Sequence, residues 1–180
     1  MPQSPWLVLP AVLFALLLMG CGEEPTASTP APAGEKPAWL LDAAPPDARS
    51  IVEAKAAAKE GDVVAVRGRI GGRAEPISAE SPVFQLMDLA VPHCGQIPGD
   101  TCPTPWDYCC EPRDNLTAHA ATVQVVDADG RPIADSPARH GLAPLDEVVV
   151  VGTVAPRPDD RVLTIRARGV YRTPHGTETR

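Results

Sequence analysis

Between Asp62 and Arg172 apolar residues recur at every second position in five separate stretches, and this constrains the fold more than any other feature. In "DVVAVRGRI", Val64, Val66, Gly68 and Ile70 share one face, opposite Val63, Ala65, Arg67 and Arg69. That is the pattern of a half-buried strand with a basic outer face. "SPVFQLMDLA" sets Phe84 and Leu86 against Val83, Gln85 and Met87. "ATVQVVDADGRPI" reads as a third strand running into an Asp-Ala-Asp-Gly turn at 127–130. In "LDEVVVVGTVAP", Val148 to Val151 are too continuously apolar to be exposed on either face. "RPDD" then turns the chain into a fifth strand, "RVLTIRARGVYR".

Five strands of this length in one short domain predict a mainly β fold, a sandwich or a closed barrel. The segment "IADSPARHGLAP" lies between strands three and four, where a five-stranded Greek-key barrel carries a helix or crossover. Glycines inside "VRGRI" and "VVGTV" suit strands that bend sharply. The domain, 62–173, therefore resembles an OB-fold, with a β-sandwich as the alternative. That resemblance implies a ligand face on strands two and three for oligonucleotides or oligosaccharides. Here the face offers Gln85, Asp88 and Gln124 and no aromatic array. Aromatics make up 4% of the chain, and 23 acidic residues outnumber 16 basic ones, so no nucleic-acid partner is expected.

Upstream of the barrel, "DARSIVEAKAAAKEGD" predicts a short helix within 47–61. Asp47 or Ser50 would cap it, Ile51, Ala54, Lys55 and Ala58 would share a face, and Gly61 would stop it. The stripe is weak, so the helix is expected to lean on the domain edge. Residues 21–46 are rich in Pro, Ala, Ser and Thr and read as a disordered tether, interrupted by Trp39, Leu40 and Leu41, which are placed to dock on the domain. Residues 174–180 read as a disordered tail.

The first 20 residues read as an address. "WLVLPAVLFALLLM" is an uninterrupted apolar run of fourteen residues, short for a membrane span and suited to a secretory signal. It ends in "LLMGCGEEP", where Leu18, Gly20 and Cys21 resemble a bacterial lipobox. The resemblance implies cleavage before Cys21 and acylation of its sulfur. Gly22 in place of Asp resembles the pattern that directs lipoproteins to the outer membrane, facing the periplasm. The membrane, reached through this lipid, is the expected partner, together with an envelope protein.

Between strands two and three a long excursion, 92–118, carries "HCGQIPGDTCPTPWDYCCEP". With Cys21 lipidated, Cys94, Cys102, Cys109 and Cys110 form an even set in an exported, oxidising setting. A bridge between neighbours Cys109 and Cys110 is disfavoured by geometry. Two pairings remain: Cys94–Cys109 with Cys102–Cys110, or Cys94–Cys110 with Cys102–Cys109. Either staples a loop of about fifteen residues, worth ~3 kcal/mol in the chain-entropy model.

The alternative is a Zn or Cu site of His93, Cys94, Cys102, Cys109 and Cys110, with Asp107 and Glu111 as outer partners. The spacings C-x7-C, C-x6-C and C-C lack a C-x2-C knuckle. A dithiol redox role also lacks its C-x-x-C at a helix start.

The stretch "CPTPWDYCCEP", with "GDVVAVRGRIGG" before it and "TVQVVDADGRPI" and "VVVVGTVA" after it, resembles a family of bacterial lipoproteins that carries this loop in an OB-like domain. The resemblance spans Ser50 to Tyr171 and implies the fold and the envelope location, with no catalytic assignment. His119, His140 and His175 are scattered in loops, and "DADG" is explained by a hairpin turn without calcium. No nucleophile elbow or phosphate loop is present. The expected function is a non-enzymatic envelope lipoprotein with a disulfide-stapled binding loop and no cofactor. Metal binding is the alternative, and oligonucleotide or oligosaccharide binding the second.

Overall fold

The computed structural model describes residues 36–174. The expected signal segment 1–20, the expected lipidation site Cys21 and most of the expected tether and tail lie outside the described residues. The five alternating stretches form β1 (Val63–Ile70), β2 (Val83–Met87), β3 (Ala120–Val125), β4 (Glu147–Val154) and β5 (Thr164–Arg172). They close into one barrel in the order β1-β2-β3-β5-β4, with β4 returning to pair with β1. All neighbours are antiparallel except β3 and β5, which run parallel. This is the OB-type Greek-key order. A single closed sheet replaces the two facing sheets that a sandwich needs.

The alternation explains the core. Val66 and Ile70, Phe84 and Leu86, Val123 and Val125, Val148 and Val150, and Ile165, Ala167 and Val170 are all buried inside the barrel. Val149 is covered as well, as its place in an unbroken valine run predicts. β4 bends at a register shift between Val151 and Gly152, one of the glycines marked in the sequence. A Cβ on Gly152 would lie 2.3 Å from the Arg166 carbonyl oxygen, so no other residue fits this bulge without moving β5. Gly152→Ala is expected to cost ~2 kcal/mol, read as a lowered melting temperature. An unchanged melt would mean that β4 and β5 can part there freely.

Helix α1 (Ile51–Ala57) is fixed by a full capping box: the Ser50 hydroxyl accepts from Glu53 N–H, and the Glu53 carboxylate accepts from Ser50 N–H. It is shorter than the predicted 47–61, because Ala58 is extended and Gly61 takes its left-handed conformation three residues later, in the turn into β1. Nor does it merely lean on an edge: Ile51 and Ala54 are fully buried in the barrel core. Asp88, expected on a ligand face, is buried instead. Its carboxylate accepts from Val52 N–H in the first turn of α1 and from Ala90 N–H, tying the helix to the end of β2.

Before the helix, the chain docks where Trp39 and the two leucines predict. Leu40 bridges Val170, and Trp39 packs edge-on against His140. The crossover between β3 and β4 contains only a 3-10 turn, Pro137–His140. The Asp127–Gly130 turn closes on itself, with the Asp127 carboxylate accepting from the Asp129 and Arg131 N–H groups.

Candidate functional site

Residues 92–118 are not an irregular loop throughout. Two 3-10 turns, Cys94–Gln96 and Pro105–Asp107, lead into a second helix, α2 (Arg113–His119). The sequence hides α2 because its N-cap is Pro112, without a capping side chain, and none of its residues is buried. It is held from outside: buried Lys55 donates through Nζ to the Thr117 carbonyl at 2.6 Å. Burial and the nearby Arg157 guanidinium lower the Lys55 pKa.

Tyr108 anchors the excursion. It is fully buried, in a small cluster with Met87 and Val91 on the outer side of β2, with Leu116 and Ala120 packed against it. Its backbone is left-handed, with φ of 56°, and Cys109 directly after it is exposed. The ring occupies the space beside Gly71, where a Cβ would meet Tyr108 Cε2 and the Trp106 carbonyl oxygen, each at 2.8 Å. Gly72 N–H donates to that carbonyl, and the Trp106 indole N–H donates to the Ala74 carbonyl. Trp106 is thereby stitched to the turn after β1.

Beneath Tyr108 lies Arg69. Strand alternation places it on an exposed basic face, but it is only 6% exposed, because the excursion folds over that face. Its guanidinium donates to Glu147 at 2.7 Å and to the Tyr108 hydroxyl at 3.4 Å. Burial pushes the Tyr108 hydroxyl pKa up, opposed by Arg69.

The four cysteines converge. Cys109 Sγ lies 3.9 Å from Cys94, 3.8 Å from Cys102 and 4.0 Å from Cys110. Cys94, Cys102, Cys109 and an oxygen of Asp107 all lie within 4.8 Å of one another, as do Cys94, Cys110 and an oxygen of Asp100. Cys94 is buried, Cys102 half-buried, and Cys109 and Cys110 exposed.

Two aspartates shape the turns around the sulfurs. Asp100 accepts from Cys102 N–H at 2.7 Å, and Asp107 accepts from Cys109 N–H and the Thr104 hydroxyl at 2.9 and 2.8 Å. Partial burial raises the Asp107 carboxyl pKa, but those donors outweigh it and hold it below its ordinary range. The Thr104 main-chain N–H bonds to the Cys102 sulfur and lowers its pKa, while burial raises that of Cys94 against a main-chain N–H from Cys110. Cys109 is raised, first by the thiol of Cys102 and then by Asp107.

His93 and Glu111 stand apart from this centre. Neither sulfur-centred group includes His93; its ring sits over Gly95, and burial followed by the Arg69 charge lowers its pKa. Among the described residues, His93 Nδ1 is buried without a hydrogen-bond partner. Glu111 accepts from the Asn115 side chain on α2. Of the residues proposed from sequence, the structure therefore gathers the four cysteines and Asp107, and adds Asp100. The C-x-T spacing around Cys102, which lets the Thr104 N–H reach its sulfur, was the available signal for that detail.

No protein-family model matches this chain, and no curated protein matches it. A solved structure, that of the hypothetical protein ygiW from E. coli, is similar over 77% of this chain and 100% of that one, at 12% identity and a TM-score of 0.36.

Proposed function

We propose that this chain is a non-enzymatic, lipid-anchored protein of the cell envelope that binds a soft metal ion in its cysteine loop, with Cys94, Cys102 and Cys109 as the mutually close ligands. The observation that carries the reading is the convergence of the sulfurs at 3.8, 3.9 and 4.0 Å around Cys109. Thiolates that share one ion, with metal–sulfur bonds of ~2.3 Å, stand ~3.8–4.0 Å apart. The Thr104 main-chain N–H at the Cys102 sulfur supports the thiolate form that a metal requires there. The two nearby carboxylates are engaged in shaping the turns, a structural role and not that of poised acids or bases. The lipobox-like "LLMGCG" supports anchoring through Cys21.

A second reading, the disulfide-stapled binding loop, rests on the exposure of Cys109 and Cys110 to an oxidising compartment and on the 3.8 Å approach of Cys102 to Cys109. Thiol counting by mass spectrometry, with metal analysis of protein purified without chelator, separates the two. Four loop thiols with about one equivalent of zinc or copper are expected. No thiol and no metal would replace the metal reading with two disulfides.

A further inference from the structure

The four sulfurs do not hold equivalent places. Cys94, Cys102 and Cys109 share one mutual group with Asp107, and both Asp107 oxygens are already engaged, by Cys109 N–H and by the Thr104 hydroxyl. That leaves a set of three thiolates. Cys110 belongs to a second group with Cys94 and Asp100, and its Sγ points to Asp100 Oδ2 at 3.9 Å. Exposure rises from buried Cys94 through half-buried Cys102 to exposed Cys109 and Cys110, so the sulfurs lead from the interior of the loop to solvent.

Coordination chemistry distinguishes the candidate ions. Zinc in closed sites takes four N or S ligands, whereas soft thiolates select monovalent copper, which is satisfied by two or three. With bonds of ~2.3 Å, a trigonal set holds its sulfurs ~4.0 Å apart. Cys109 lies 3.9 Å from Cys94 and 3.8 Å from Cys102, which fits such a set.

We infer that the cluster carries monovalent copper as cargo, resident on Cys94, Cys102 and Cys109, with Cys110 as the exchange ligand through which the ion leaves. The inference rests on the soft-metal reading above. In the exchange, a copper–sulfur bond to Cys110 forms as the bond to Cys94 breaks. Exposed Cys110 releases its proton to solvent, and the freed Cys94 thiolate takes one up as its bond to copper breaks. Copper remains monovalent and three-coordinate, and no electron moves. The ion then sits on the two exposed sulfurs and half-buried Cys102, open to an incoming ligand.

The test loads the full-length chain, purified anaerobically in detergent, with one equivalent of Cu(I) and follows transfer to the chromophoric chelator bathocuproine disulfonate by stopped flow. Cys110→Ser is expected to retain one Cu(I) per chain at near wild-type affinity and to transfer it about tenfold more slowly, a barrier ~1.4 kcal/mol higher. Because Cys110 is exposed, the substitution leaves the fold intact, which circular dichroism checks. Transfer at the wild-type rate would overturn the exchange role while leaving metal binding in place. Loss of binding in Cys110→Ser would make Cys110 a resident ligand and also overturn it. A wild-type chain that takes up no Cu(I) would remove copper as the cargo, and the purification-state metal count then decides whether the soft-metal reading survives.

Discussion

Tyr108→Ala is expected to lower stability by ~4 kcal/mol and to release the cysteine excursion from the barrel. Tyr108 is the largest fully buried side chain among the described residues, and its ring fills the space between Gly71, Met87 and Val91. Truncation leaves a cavity that the surroundings cannot close, since Gly71 belongs to the strand turn and Met87 to β2. It also removes one hydrogen-bond partner from buried Arg69, which keeps only Glu147. Against a typical domain stability of ~5–15 kcal/mol, such a loss brings the protein near its folding threshold. Tyr108→Phe keeps the ring and loses one long hydrogen bond of 3.4 Å, so it should cost no more than ~1 kcal/mol. Denaturant melts of the two variants check the pair of values. If Tyr108→Ala melts within ~1 kcal/mol of wild type, the excursion is not held by this ring.

The barrel was readable because a strand's period of two survives in sequence wherever one face is buried. Phe84 and Leu86 point inward as their alternation requires, and Gly152 marks its bulge. Alternation also misled, and for a physical reason. It assigns Arg69 to the outer face correctly, yet cannot say that a distant excursion covers that face. Asp88 failed in the same way: a carboxylate after a strand reads as solvent-facing, and only the fold brings the first turn of α1 to it. α2 escaped because it owes its place to Lys55 and to the docked loop, without a stripe or cap of its own. At the candidate site, the spacings C-x7-C and C-x6-C carry no sign of proximity. The left-handed Tyr108 and the aspartate-closed turns gather the sulfurs, and those are properties of the folded backbone.

Cys109→Ser separates a metal centre from a staple by the sign of its dependence on conditions. Cys109 is the sulfur within 4.0 Å of all three others, so its loss removes the vertex that both resident partners share. It is exposed, and its main-chain N–H bond to Asp107 does not require the thiol. In metal-free buffer the variant should therefore melt within ~0.5 kcal/mol of wild type. Adding metal at a thousandfold excess over the dissociation constant should stabilise wild type by ~4 kcal/mol, because the ion binds only the gathered sulfurs, and should leave the variant unmoved. A staple predicts the opposite pattern. Losing a disulfide costs ~2–5 kcal/mol with no metal present, and a reductant would lower the wild-type melt by the same amount. The comparison is a two-by-two melt, wild type against Cys109→Ser, without reductant and with or without metal. A variant already destabilised in the metal-free arm would turn the cluster from an ion site into a cross-link.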